Sequence, residues 1–322
     1  MIDFSQKRMW SMLGMRGVFA MRMAELAKDH PELVVLTADL GQLSGLDRFK
    51  AEFPRQFINA GIAEQDMVGM AAGLAHEGMK PFVTTYATFL SMRSAEQIRH
   101  LCAYAKNPVR LIASGAGFAM GMSGNSHYTY EDLAMMRAIP DMTVISPADG
   151  AETFKLIDML LEYDKPVYVR LTGNLNIPMV YKDDYNIVIS KSVSLDENEG
   201  KDATVFATGT MVAESQKAAK ALRENGFDIH VVNIHTIKPL DREAVAQACR
   251  NSRLLVSVEE HSILGGLGGA ISEVMAEIGG SSRLLRIGMP DTFIHPGEYK
   301  YLLEQSGLTA SSITTRISED LR

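Results

Sequence analysis

Cysteine is nearly absent from this chain: Cys102 and Cys249 stand far apart in helix-like stretches, with no CxxC or paired spacing. That argues against a disulfide-stapled fold, favours reduced core thiols and leads us to expect a cytoplasmic protein. No apolar run reaches the length of a membrane span, and the N-terminus lacks the charged, apolar and small-residue order of a signal peptide, so no membrane association is expected. Basic runs are missing as well, and the net charge of -7 argues against a nucleic-acid partner. The eight histidines include no HExxH and no Cys/His cluster, and GxSxG does not occur, which sets aside zinc-enzyme and serine-hydrolase readings.

What is present is a globular composition, 46% hydrophobic and 22% charged, and 322 residues, enough for two cored domains. Twenty methionines supply adaptable filler for cores and interfaces. Residues 1–15 carry Met9, Trp10, Met12, Leu13 and Met15 and are too apolar for a solvated tail, so they are expected to pack on another surface.

Strands and helices then alternate. Val34–Asp39, Phe82–Tyr86, Val109–Ser114, Thr143–Ser146 and Val167–Leu171 read as strands; Arg16–Lys28, Ser91–Ala105, Tyr130–Arg137 and Asp149–Tyr163 read as helices. Asp149 and Glu152 are spaced as a capping box. A polar, acidic segment containing Lys182-Asp183-Asp184 and Asp196-Glu197-Asn198-Glu199 interrupts the pattern, which resumes with strands near 204, 229, 254 and 284 and helices near 212, 242 and 269. The expected architecture is α/β, two consecutive open, mostly parallel-sheet domains, residues 1–185 and 202–322, with 186–201 as linker. The glycine-rich turn at 265–269 lacks a P-loop lysine and does not match GxGxxG. A tight strand-to-helix turn is favoured there over an anion cradle.

The stretch that organises the rest is Phe57-Ile58-Asn59-Ala60-Gly61-Ile62-Ala63-Glu64-Gln65. It reads as a short strand, a glycine turn and a helix from Gln65 to about Glu77, which puts Glu64 at the buried edge of a sheet. A carboxylate among Ile62, Ala63 and Val68 is costly unless something binds it. The plain alternative is a helix-start acid that caps free amides.

Gly61-Ile62-Ala63-Glu64-Gln65, then Pro81-Phe82-Val83 through Phe89, resembles the pyrimidine-binding domain of transketolases and related thiamine-diphosphate enzymes. Thr236-Ile237-Lys238-Pro239-Leu240-Asp241 and Glu259-Glu260-His261-Ser262 resemble the transketolase C-terminal domain, so the likeness runs along nearly the whole chain. It implies that Glu64 bonds N1′ of the cofactor's aminopyrimidine and helps activate it, and that Phe89 stacks on the ring. Asp39, Tyr86 and Arg93 fall near the cofactor by the same likeness, with Arg93 and Gln97 on a helix that packs on a twin subunit. His127, in the loop Met120–His127, is implied to touch cofactor and substrate and to pass protons.

The likeness also shows what is missing. In the family, diphosphate and Mg²⁺ are held by a GDG motif, and this chain has none. A separate N-terminal partner subunit carrying that domain is therefore implied, in an α₂β₂ assembly in which this chain also self-associates.

Transketolases grip a sugar phosphate with two Arg, a His and a Ser. Arg16 fits the first Arg, but the Ser position falls on Leu43 beside Ser44, the His on Gly115, the second Arg on Gly173, and the Asp for the acceptor hydroxyl on Ser123. Each charge-assisted bond lost is worth roughly 1.5–3 kcal/mol. The expectation is transfer of a two-carbon ketol unit from a ketose to an aldehyde, with substrates other than the ordinary pentose phosphates; Arg170 and Lys191 stay open as replacement cations. Two alternatives stand beside it: an acyloin-forming or 2-oxo acid-cleaving enzyme subunit, and a non-catalytic scaffold.

Overall fold

Runs of Val, Leu and Ile buried on both faces set the frame, as parallel strands under helices require. The computed structural model describes residues 4–173, 175–181, 185–280 and 282–322; the Lys182-Asp183-Asp184 part of the polar, acidic segment lies outside them. The first lobe runs α1 (Phe4–Leu26), β1 (Leu33–Thr37), α2 (Asp47–Glu52), β2 (Phe57–Asn59), α3 (Glu64–His76) and β3 (Lys80–Tyr86). Residues 89–104 follow as π-helical turns, Phe89–Arg93 and Ile98–Tyr104, around the short α4 (Ala95–Gln97). Then come β4 (Arg110–Ala116), a 3₁₀ stretch Gly121–Ser126, α5 (Asp132–Ala138), β5 (Thr143–Ile145), α6 (Gly150–Leu161) and β6 (Val167–Thr172).

The second lobe holds β7 (Val193–Ser194), β8 (Ala203–Ala207), α7 (Met211–Glu224), β9 (Ile229–Asn233), β10 (Thr236–Lys238), α8 (Arg242–Asn251), β11 (Leu254–Ser262), α9 (Leu267–Ile278), β12 (Arg283–Met289), α10 (Tyr299–Gln305) and α11 (Ala310–Leu321). Among the described residues the strands make two sheets, β10-β5-β6-β4-β3-β1-β2 and β12-β11-β8-β9-β7. Both are parallel except for one antiparallel edge each, β10 on β5 and β7 on β9. The fold class is thus two α/β units with mostly parallel sheets.

Three features tie the lobes together. Thr236–Lys238 leaves its own lobe to close the edge of the first sheet. Glu152 completes the capping arrangement, its amide donating to Asp149 at 2.8 Å and its carboxylate accepting from Ala148 N at 2.5 Å, and then accepts from Asn233 at 2.9 Å and from Tyr185 at 2.6 Å. Arg170, only 1% exposed, bonds Asp132 in the first lobe and the Glu260 carbonyl in the second.

The N-terminal segment belongs to α1 rather than preceding a helix at Arg16. Gly14 breaks the helical path, and Trp10, 2% exposed, stacks on Phe154 of α6 with ring centroids 4.4 Å apart.

Candidate active site

At Gly61 the backbone takes φ +73°, a left-handed turn that glycine adopts without strain, and carries the chain from β2 into α3. Glu64 is the first residue of α3 and 4% exposed. It does not cap the helix: the N-cap is Ala63, with no side-chain bond. Instead both carboxylate oxygens accept from Nη1 of Arg93, at 3.0 and 3.1 Å. The Arg93 guanidinium carbon lies 3.8 Å from the Phe89 ring centroid. Phe89 and Arg93 share one π-helical turn, a geometry that is rare and concentrated at functional sites. Gln65 fixes the Arg93 carbonyl with a 2.9 Å bond from its side-chain amide.

Tyr86 and His127 complete the group. The His127 ring is centred 5.4 Å from Phe89 and 6.1 Å from Tyr86, and its Nδ1 meets the Ser126 hydroxyl at 2.8 Å. Glu64, Arg93, Phe89, Tyr86 and His127, drawn from three segments of sequence, thus converge at the ends of β2, β3 and β4. Ser123 is exposed on the same loop as His127.

Other expected positions lie apart from this group. Asp39, at φ +57°, is bound to Asn59: its amide donates to Asn59 Oδ1 at 2.9 Å, and Asn59 Nδ2 donates to its carboxylate at 3.2 Å. Asn59 also receives the Gly61 amide at 3.0 Å, so it links the Asp39 turn to the Glu64 turn. The sequence reading missed this role, although an Asn two residues before a turn glycine is a recognisable signal. Ser44 is 2% exposed, while its neighbour Leu43 is 53% exposed. Arg16 lines a small pocket of about 40 Å³ with Gly115, Met120, Leu171, Gly173 and Leu175. Lys191 pairs at 3.5 Å with Glu243 of the second lobe.

The amides of the glycine-rich turn before α9 are taken up by a carboxyl group of the chain itself. Glu259 accepts from the Leu267 and Gly268 amides at 2.6 and 2.8 Å. Burial pushes its carboxyl up to about 7 and pushes the adjacent His261 imidazole down to about 4.

A buried acid linked through a guanidinium to an aromatic face at the strand ends of a parallel α/β unit, beside a second such unit, is the framework of an enzyme subunit that cradles a flat cofactor ring. Likeness to known proteins narrows that class. Residues 11–176 match the family described as transketolase, pyrimidine binding domain, and residues 193–313 that described as transketolase, C-terminal domain. A Methanocaldococcus jannaschii chain carrying the name transketolase C-terminal section is 41% identical, over 96% of each chain. One of the subunits of the apulose-4-phosphate transketolase of Phocaeicola vulgatus is 37% identical, over 94% of this chain and 96% of its own. A split-gene transketolase solved as an inactive β4 tetramer superposes with a TM-score of 0.85 at 37% identity, covering 95% of this chain and 97% of the other. The chain belongs to the transketolase family, whose members depend on thiamine diphosphate.

The site fits the pyrimidine half of that cofactor. Glu64 and Phe89 already hold a flat, nitrogen-bearing hydrogen-bond donor between them, the Arg93 guanidinium. Among the described residues no three His, Cys, Asp or Glu side chains are grouped to hold an ion.

Proposed function

We propose that this chain is the C-terminal subunit of a two-component transketolase, working with a separate N-terminal subunit that holds the diphosphate and Mg²⁺. The observation that carries the reading is Glu64, buried yet paired with a guanidinium that lies over the Phe89 face rather than with its own helix amides. When bound, thiamine diphosphate supplies a nucleophilic carbon able to break and form carbon–carbon bonds next to a carbonyl. Glu64 accepts a hydrogen bond from the protonated ring nitrogen and orients the pyrimidine. Phe89 supports the ring, with Tyr86 packed at its edge, and the pair excludes water from that side. His127, at the rim, moves a proton to or from the substrate hydroxyl as the carbonyl is consumed and regenerated. Asp39, held by Asn59, shapes the turn beside Gly61. The inactivity of the split-gene β4 tetramer supports the need for a partner, and its tetrameric state supports the self-association proposed for this chain within an α₂β₂ assembly. The free thiols at Cys102 and Cys249 support a cytoplasmic home.

The substrate tail is not that of an ordinary pentose phosphate. Gly173, at φ +72°, has Thr210 Cγ2 at 2.8 Å from where a Cβ would stand, so no arginine fits there without rearrangement. Met120 fills the space at Gly115, its Cγ 3.0 Å from that site. Arg170 is engaged with Asp132 and Lys191 pairs with Glu243 of the second lobe, which leaves Arg16 for the tail, with Ser123 near the acceptor hydroxyl.

The test is Glu64→Ala in the reconstituted complex. The variant should elute and melt as a folded chain and lose at least about 10²-fold in ketol transfer; wild-type turnover would move the chain to the scaffold reading. Equal activity on xylulose 5-phosphate and on non-phosphorylated ketoses would count against the substrate assignment.

A further inference from the structure

The guanidinium of Arg93 makes the two contacts that an aminopyrimidine needs from this chain. It is flat, positively charged and donates N–H bonds to both oxygens of Glu64. It also covers the Phe89 face, its central carbon 3.8 Å from the ring centroid. A pyrimidine protonated at its ring nitrogen presents the same combination: a planar π-face and an N–H donor bearing positive charge. The two cannot occupy the same carboxylate and the same ring face together.

We propose that Arg93 is an internal stand-in for the cofactor's pyrimidine, holding Glu64 paired while the site is empty and leaving when the cofactor binds. The inference rests on the reading of Glu64 and Phe89 given above. Without Arg93, a carboxylate only 4% exposed would wait for its ligand unpaired. Departure requires little rearrangement. The Arg93 side chain is 47% exposed, so rotation takes it into water, while the bond from Gln65 keeps the backbone carbonyl fixed. Arg93 then sets cofactor affinity by competition, the reverse of a residue that grips the cofactor.

The two roles predict opposite results. The probe is 4-amino-5-hydroxymethyl-2-methylpyrimidine, the pyrimidine half of thiamine, titrated calorimetrically into the full chain. R93A should bind it about tenfold more tightly than the wild type, a change of about 1.4 kcal/mol. R93A should also melt at a lower temperature than the wild type, and methylguanidinium should both restore that temperature and compete with the probe. R93Q, which leaves Glu64 a hydrogen-bond donor, guards against a failure of R93A to fold and should fall between the two. Equal or weaker probe binding by R93A and R93Q overturns the proposal, as does the absence of probe binding to any of the three chains or a lack of competition by methylguanidinium. The double variant E64Q/R93A separates the levels. If it loses binding that R93A retains at no more than wild-type strength, the pyrimidine site stands and only the competition fails. If probe binding is indifferent to Glu64, the reading of the site fails too.

Discussion

Replacing Arg170 by methionine tests whether this buried cation is structural or available to substrate. Its Nε donates to both oxygens of Asp132, at 3.0 and 2.9 Å, and its Nη2 to the carbonyls of Thr129 and Glu260, at 3.3 and 2.9 Å. Burial alone would lower the guanidinium pKa, but the charge and hydrogen bonds of Asp132 outweigh it and raise the value. Methionine fills comparable volume, so the main loss is electrostatic. Asp132, 0% exposed, would keep only the 2.8 Å bond from the Tyr168 hydroxyl, and the Glu260 carbonyl would lose the Arg170 donor, while the Thr129 carbonyl keeps the Gly117 amide at 2.8 Å. Breaking a buried pair by removing one partner costs about 3–5 kcal/mol. For a chain of this size that is a fall in melting temperature on the order of 10 °C. Scanning fluorimetry of R170M, compared with R170M/D132L, reads the effect. The double variant removes the orphaned charge as well and should recover most of the loss. A melting temperature for R170M within a degree or two of wild type, together with a raised KM for an anionic ketose, would refute the reasoning and return Arg170 to the substrate.

Two further outcomes follow from the buried titratable groups. Glu259 has its carboxyl pushed up to about 7 by burial, so between roughly pH 4.5 and 7 the folded chain keeps a proton that the unfolded chain has released, and stability falls as pH rises through that window. The stability of the wild type relative to E259Q, measured by urea titration, should therefore fall from pH 4.5 to 7. His261 contributes a slope of opposite sign, since its folded pKa is lowered to about 4, and with its Nδ1 3.6 Å from Glu259 Oε2 it is removed from the comparison by placing H261N in both proteins. Parallel curves would contradict the assignment. Cys102, fully buried and with its thiol pushed up to about 12 by desolvation, should resist a disulfide reagent at pH 8 until the chain unfolds; a fast native reaction would show that the helical stretch around it opens readily.

The fold was legible because its signals are local. Runs such as Leu33–Thr37 and Val167–Thr172 are buried along their whole length, and Asp149 and Glu152 reveal a helix start through bonds that span three or four residues. The position of Glu64 at a strand-to-helix junction was readable for the same reason. Its partner was not, because Arg93 lies 29 residues away and reaches it through a π-helical turn, where the expectation was a helix beginning at Ser91. The crossing of Thr236–Lys238 to the first sheet is a long-range pairing that three residues do not announce. The glycine-rich turn was recognisable as a helix entry, but its occupant, Glu259, lies on the preceding strand and is brought there only by the fold.

The chemistry rests on the Glu64 carboxylate, and the most direct measurement is a crystal or cryo-EM structure of the chain assembled with its partner and thiamine diphosphate. The expected result is a Glu64 oxygen within about 2.6–3.0 Å of a pyrimidine ring nitrogen, with the ring on Phe89. A pyrimidine seated elsewhere, or a Glu64 side chain turned to solvent in the loaded assembly, would contradict it.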